Sequence, residues 1–101
     1  MGSDSVSTQR STKPVRIGGV TFDNNFYDRE VDVLYLHVGA PTDAVDYDGT
    51  AEGDGTRYGA DGSLVGLTLV SPKYRLEHDG KIELTLPEHN VVVTDLGDLL
   101  D

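Results

Sequence analysis

Residues 31–38 read Val-Asp-Val-Leu-Tyr-Leu-His-Val, and this stretch carries the strongest strand signal in the chain. It is rich in β-branched and aromatic residues, which favour extended backbone. Val33 and Tyr35 share one face of such a strand, and Leu34 and Leu36 share the other. Because both faces are apolar, we predict a central strand covered on both sides, its second face by the C-terminal segment or another subunit.

A hairpin is predicted directly after the acidic middle of the chain. Asp61 and Gly62 suit a two-residue type I′ turn, in which both central residues need a positive φ. This turn predicts two cross-strand pairs, Tyr58 with Val65 and Thr56 with Leu67.

The next turn decides between a second hairpin and a helix. A three-residue loop at 78–80 places Leu76 opposite Ile82. In the same register, the other cross-strand pairs join residues of similar polarity or of opposite charge. Gly80 then takes the left-handed position that a type I turn with a G1 bulge requires. We therefore predict a hairpin here in preference to a helix over 72–77, whose start a Ser-Pro pair would suit.

The two ends of the chain complete the predicted domain. Residues 1–14 are polar and lack periodicity, which predicts a flexible tail ahead of a single β-rich domain over residues 15–101. Val91–Val93 predict a last short strand, and Thr94 then caps a brief helix that ends near Leu100. The predicted fold is a mainly β, β-rich α+β domain: an antiparallel meander of five to six strands with a short C-terminal helix.

Composition limits the classes of function. The chain has 101 residues, enough for one domain, and carries 18 acidic against 8 basic residues, a net charge of −10. Such an acidic body repels phosphate, so we expect neither nucleic acid nor a membrane surface as a partner. The sequence contains no Cys, which excludes thiolate chemistry, and no apolar run near the length of a membrane span. With no visible secretory signal, we expect a cytoplasmic protein.

Two motifs resemble those of a known family. The first places Tyr27, Asp28, Glu30, Asp32, Leu34 and Tyr35 in one run, and the second places Asp61, Gly62, Leu64, Val65 and Gly66 in a hairpin. Over roughly residues 20–86 the chain resembles the small uncharacterised β-rich family catalogued as domain of unknown function 2283. The resemblance implies an antiparallel meander and transfers no catalytic residue. Some members look like partners of small toxin-like proteins, which implies an antitoxin-like candidate role.

Acidic side chains are the candidates for chemistry. Asp28, Glu30 and Asp32 alternate, and in an extended chain their carboxylates lie about 7 Å apart on one side, where they could bind a metal or share a proton. The alternative, which we favour, places Asp28 and Glu30 in a turn and lets Asp32 accept backbone N–H bonds where the strand begins. Asp46 and Asp48 are weaker candidates, because neither start of an EF-hand template fits.

The segment that contains Asp46 and Asp48 has an unusual composition. Residues 39–56 are rich in Asp and Gly and contain no base, which predicts a long solvated loop with at most one short edge strand near Val45–Tyr47. His37, on the predicted central strand, is expected to be a packed, hydrogen-bonded histidine rather than a zinc ligand.

The sequence therefore predicts an acidic, non-enzymatic protein-interaction module that forms a homodimer and needs no cofactor. The alternatives are an antitoxin-like protein that binds a small basic toxin, and a weak divalent-cation-binding protein or enzyme that uses Asp28, Glu30 and Asp32. Charge complementarity motivates the basic partner.

Overall fold

The computed structural model describes residues 10–11, 14–39 and 44–100. Within them lie ten strands, one α-helix and one 3-10 helix. In chain order these are β1 (Arg10–Ser11), β2 (Val15–Ile17), β3 (Val20–Phe22), β4 (Asn24–Asp28), β5 (Val33–His37), β6 (Asp46–Gly49), β7 (Gly55–Tyr58), β8 (Leu64–Val70), α1 (Pro72–Asp79), β9 (Ile82–Thr85), β10 (Asn90–Val93) and the 3-10 helix Gly97–Leu100.

The main sheet has the strand order β1-β4-β5-β8-β7-β6, and its neighbours are antiparallel. β5 lies inside this sheet and pairs with β4 on one side and β8 on the other. Leu34 lies opposite Leu69, and Leu36 lies opposite Leu67, so apolar side chains form a continuous layer across two strands. The predicted mainly β fold is confirmed, and the predicted strand at 31–38 is an internal strand with the shorter bounds Val33–His37, because residues 31–32 belong to the preceding turn.

One face of the main sheet forms the hydrophobic core. The β2–β3 hairpin, the β9–β10 hairpin and the C-terminal residues contribute the opposing side chains. The buried core residues are Ile17, Phe22, Leu34, Leu36, Leu67, Leu69, Ile82, Leu84, Leu86, Val93, Leu96 and Leu100. The C-terminal segment is therefore the cover that the sequence predicted for one face of β5.

Within the described residues this chain covers only one face of β5, so the predicted cover of the second face by another subunit stays a prediction. Tyr35 is 41% exposed, and its neighbour Val33 is only partly buried. The reason is that the two small hairpins and the 3-10 helix all pack on the side of Leu34 and Leu36. Within the described residues, no further element is left to pack on the Val33 and Tyr35 side of the sheet.

The turn between β7 and β8 differs from the predicted two-residue type. The Gly62 N–H donates to the Gly59 carbonyl at 2.9 Å, and the Gly59 N–H donates to the Ser63 carbonyl at 2.9 Å. Gly62 has a φ of +84°, as predicted, whereas Asp61 is not in the positive region. This pattern is a three-residue loop with a G1 bulge. Consequently Tyr58 lies opposite Leu64 rather than Val65, while Thr56 lies opposite Leu67 as predicted.

The predicted hairpin at 72–86 is wrong, because residues 72–79 form helix α1. Gly80 has the predicted left-handed conformation, but it caps the helix, and its N–H donates to the Leu76 carbonyl. Leu76 packs against the core from the helix, so this residue is partly buried without a strand. The side chains that hydrogen-bond to the helix come from distant parts of the chain, so the local sequence pattern does not reveal them.

The remaining predictions are mostly confirmed at element level. Residues 90–93 form β10, and residues 97–100 form the brief C-terminal helix as a 3-10 turn. The predicted Thr94 cap is wrong, because the helix begins later and Asp95 accepts the Gly97 N–H at 2.8 Å. An edge strand, β6, lies where residues 45–47 predicted one. Most of the predicted tail, residues 1–14, lies outside the described residues; Arg10–Ser11 pair with β4.

Candidate functional site

The second face of the main sheet, which we call the open face, is the most distinctive surface of the molecule. In the observed register, every second residue of the paired strands lies on this face. On strands β4 to β8 its members are Phe26, Val33, Tyr35, Tyr47, Arg57, Thr68 and Val70, together with Asn24, Asp28, His37, Gly49, Gly55 and Gly66. An antiparallel sheet with one solvated face normally carries polar residues there, whereas this face also carries five apolar or aromatic side chains, Phe26, Val33, Tyr35, Tyr47 and Val70.

Aromatic contacts organise the open face. The rings of Phe26 and Tyr35 stack across β4 and β5 with centroids 6.0 Å apart. At the far edge, the Arg57 guanidinium lies 5.3 Å from the centre of the Tyr47 ring, which is a cation–π contact. Tyr47 is 65% exposed, so this aromatic surface extends to the last strand of the sheet.

A row of four residues crosses the open face at one level: Asn24, His37, Gly66 and Arg57. His37 is buried, and its Nδ1–H donates to the Val38 carbonyl at 2.9 Å, because a carbonyl can only accept. Gly66 makes this packing feasible, since a Cβ there would lie 2.9 Å from His37 Cδ2 and 3.1 Å from Arg57 Cβ. His37 is therefore packed and hydrogen-bonded, as predicted.

A shallow cavity of about 200 Å³ lies on this face. Its walls include Phe26, Tyr35, His37, Arg57 and Thr68. It combines aromatic surface with one guanidinium and the hydroxyl groups of Tyr35 and Thr68. This mixture of Tyr, Phe and Arg, with few acids or lysines, is typical of the buried centre of a protein–protein interface.

The predicted carboxylate triad does not form a metal site. Asp28, the last residue of β4, accepts the backbone N–H of Glu30 at 3.1 Å, so the two residues line the β4–β5 turn, as the favoured interpretation predicted. Asp32 accepts from the Tyr27 hydroxyl at 2.7 Å. Within the ranges that the structure describes, no group of three or more His, Cys, Asp or Glu side chains could hold a metal ion.

Asp32 accepts backbone N–H bonds, as predicted, but from a helix rather than from the start of its own strand. Its two carboxylate oxygens accept the N–H groups of Lys73 and Tyr74, each at 3.1 Å. These are the second and third residues of α1, the groups that an N-cap side chain normally satisfies. Ser71, at the cap position, has a φ of +54° and makes no side-chain cap bond. Asp32 therefore caps α1 from 41 residues away in the chain.

The pKa values of this pair follow from their contact. Partial burial is the largest single influence on Asp32 and raises its pKa, but hydrogen bonds from Tyr27 and the helix N–H groups outweigh it and leave the pKa below 3.8. Burial, and then the hydrogen bond to Asp32, raise the pKa of Tyr27 to about 12. Both shifts favour an ionised Asp32 beside a neutral Tyr27 hydroxyl.

The acidic segment is less solvated than the sequence predicted. Asp46 and Asp48 are exposed on β6, but Asp54 is 2% exposed. Asp54 accepts the Val70 N–H at 2.9 Å and two bonds from the Arg75 guanidinium at 2.8 and 3.1 Å. The segment thus forms the β6–β7 hairpin, whose turn is tied to the end of β8 and to α1.

Glu52 connects the same turn to β9 by hydrogen bonds. Its carboxylate accepts the Thr85 N–H at 2.9 Å and the Thr85 hydroxyl at 2.7 Å. These bonds lower the pKa of Glu52 below its ordinary value. Sequence reasoning missed Glu52, Asp54 and Arg75, because each pair joins residues far apart in the chain. The long acidic segment without a base was the only local signal that partners lay elsewhere.

Asp61, from the second sequence motif, has a structural role in the loop between β7 and β8. Asp61 accepts the backbone N–H and the hydroxyl of Ser63, which lowers its pKa and holds the loop before β8. Of the predicted site residues, the structure brings together Tyr27 and Asp32, and separately Tyr35 and Gly66 on the open face. Asp46 and Asp48 lie apart from the turn at Asp28 and Glu30. They are on β6, an edge strand that is separated from β4 by three other strands of the main sheet.

Comparison of the chain with models of protein families, with curated proteins and with solved structures found no match in any of the three. The resemblance of the Tyr27–Tyr35 and Asp61–Gly66 motifs to the uncharacterised family therefore stays a prediction. No helix among the described residues is long and apolar enough to cross a membrane.

Proposed function

We propose that this protein is a non-enzymatic interaction module whose open face binds a second copy of the same chain. The observation that carries the proposal is the exposure of apolar side chains on a regular sheet surface. Tyr35, Val70 and Tyr47 are 41%, 43% and 65% exposed, on a face that also contains Phe26 and Val33. Contiguous exposed apolar surface on a small protein is typical of an interaction site.

Charge favours a second copy as the occupant. The chain has a net charge of −10, so two copies repel each other over most of their surfaces. On strands β4 to β8 of the open face, however, the charged side chains are Asp28 at one corner and Arg57 near the opposite side. Two open faces can therefore meet without a large like-charge cost, whereas a basic partner would find few carboxylates to contact there.

Geometry supports the same arrangement. A two-fold dimer brings identical surfaces together, and sheets pack face to face at about 10 Å with interdigitating side chains. Tyr35 lies on an internal strand of the sheet, so it would lie near the centre of such an interface. The second cover that the apolar character of β5 predicted would then be another subunit.

The chemistry of the described carboxylates supports a role without catalysis. Asp32 caps a helix, Asp54 is paired with Arg75, and Glu52 holds Thr85. Each of these side chains is engaged by donors within the fold. The hypothesis of an enzyme or cation-binding protein that uses Asp28, Glu30 and Asp32 has less support, because the first two line a turn and the third accepts three hydrogen bonds within the fold.

Sedimentation velocity over a range of protein concentrations tests the proposal. We expect the wild-type chain to sediment as a dimer and Tyr35→Glu to sediment as a monomer, because the variant places a carboxylate at the centre of each apolar face. Tyr74→Glu is the matched control, since Tyr74 is a 58% exposed tyrosine on α1 and away from the open face. This control should remain dimeric.

Circular dichroism of all three proteins establishes that the variants are folded. A wild-type chain that stays monomeric at several hundred micromolar would overturn the proposal. A folded Tyr35→Glu variant that dimerises as well as the wild type would place the interface on another surface and would overturn it equally.

A further inference from the structure

β6 is the last strand of the main sheet and presents a free edge. Within the described part of the chain it pairs only with β7, and all four of its residues, Asp46–Gly49, are exposed. The strand edge is a different surface from the open face, because hydrogen-bonding groups of the main chain point sideways in the plane of the sheet. An unpaired edge of this kind is a template for another strand.

On another strand, β9, side chains of the same chain bind the main-chain groups of the edge. On β9, Glu52 accepts the Thr85 N–H, and Arg75 donates to the Glu83 carbonyl at 3.3 Å. These bonds occupy main-chain groups that an added strand would otherwise use. On β6 the comparable contact is local, since the Asp48 carboxylate accepts the N–H of the adjacent Gly49 at 2.8 Å.

The side chains of β6 define the charge of a fitting partner. Asp46 and Asp48 are two residues apart and therefore project to the same side of the strand, while Tyr47 projects to the other. Pairing of two β6 strands would bring carboxylates together, which is destabilising, whereas Lys or Arg opposite them would be stabilising. The edge is therefore protected against self-association and open to a basic strand.

We propose that the β6 edge binds an extended basic segment of a partner protein, which adds a strand to the main sheet. Main-chain hydrogen bonds supply the attachment in this mode of recognition, and alternate side chains supply the specificity. Here the specificity comes from Lys or Arg at alternate positions opposite Asp46 and Asp48. The inference does not depend on dimerisation through the open face, because the two surfaces are distinct.

The probe is a capped synthetic peptide of sequence Lys-Val-Lys-Val-Lys-Val, added to the full chain. We expect the peptide to slow amide hydrogen exchange at residues 46–49 and to bind more weakly as salt rises. Asp46→Asn/Asp48→Asn should bind it about three- to tenfold more weakly, the range expected for two exposed charge pairs. Glu30→Gln/Glu88→Gln is the matched control, because it removes the same charge at exposed positions outside β6.

A second peptide separates strand addition from simple charge attraction. The same sequence with a methyl group on every backbone nitrogen retains its charges but cannot donate main-chain hydrogen bonds. We expect it to leave exchange at β6 unchanged. Equal binding of the methylated peptide, equal binding by Asp46→Asn/Asp48→Asn, or no binding of the first peptide at low salt would each overturn the proposal. Sedimentation of the chain alone reports dimerisation separately, so the two proposals fail independently.

Discussion

Gly66 is the residue whose size most directly shapes the open face. Its hydrogen atom leaves room for the His37 ring on one side and the Arg57 stem on the other. The backbone of Gly66 is not in the left-handed region, so the requirement comes from space rather than from φ. In the sequence this glycine was singled out only as part of a family-like motif, and its physical role follows from the packing of three strands.

We expect Gly66→Ala to lower the free energy of unfolding by about 1–3 kcal/mol, the usual cost of forcing extra volume into a packed site. The new Cβ would lie 2.9 Å from His37 Cδ2, and β5 would have to move to relieve the contact. Urea unfolding at neutral pH measures the change. Gly59→Ala is the control, because its nearest contact would be an ordinary 3.4 Å; equal losses in both variants would argue against a spatial role for Gly66.

At the level of the element, α1 shows how tertiary contacts override local pattern. The helix has a poor N-cap of its own, since Ser71 makes no side-chain bond to it. The Asp32 carboxylate supplies the missing acceptors, and its charge lies at the positive end of the helix. Arg75 then anchors the next turn of the helix to Asp54.

We expect Asp32→Asn to lower the free energy of unfolding by about 1 kcal/mol at neutral pH, the typical value of a helix cap. Asn tolerates the left-handed conformation of Asp32, whose φ is +55°, so the variant removes the charge and one of the two oxygen acceptors without backbone strain. Because the folded-state pKa of Asp32 lies below 3.8, its stabilisation is present above that pH and is lost as the pH falls through the folded pKa.

The wild type and Asp32→Asn should therefore converge in stability when unfolding is followed from neutral pH to below pH 3.8. Tyr27→Phe, which removes one donor to Asp32 but keeps the carboxylate, should show a smaller acid-dependent loss than the wild type. Parallel curves for wild type and Asp32→Asn throughout this range would mean that the charge of Asp32 does not stabilise α1.

At the scale of the whole molecule, the Asp54–Arg75 pair joins four parts of the fold. Asp54 belongs to the β6–β7 hairpin and accepts from Val70 at the end of β8, while Arg75 on α1 also donates to Glu83 on β9. The side chain of Asp54 is fully buried and that of Arg75 is 18% exposed. Loss of either partner leaves the other without its main contact.

We expect Asp54→Ala to lower the free energy of unfolding by about 2–4 kcal/mol, somewhat less than for a fully buried pair, because Arg75 keeps access to water. Asp48→Ala removes the same charge from an exposed position in the same hairpin and should cost less than about 1 kcal/mol. Denaturant unfolding of both variants measures the difference. Similar losses in both would show that the buried pair has no special weight in the fold.

Local patterns determined much of this fold. The β-branched run at 31–38 predicted an internal strand, the three valines at 91–93 predicted the last strand, and glycine at positions 62 and 80 predicted left-handed backbone. These features depend on side-chain alternation and on steric limits of single residues, which the sequence contains in full.

Only the tertiary structure decided the rest. Helix α1 replaced a predicted hairpin because Asp32 and Asp54 supplied partners from two distant turns. The acidic segment became an anchored hairpin for the same reason. The apolar pattern of β5 required a cover on each side, but it did not reveal that every described covering element packs on the Leu34 face. Such choices depend on which distant side chains meet in space, and that is a property of the folded chain rather than of any short stretch of it.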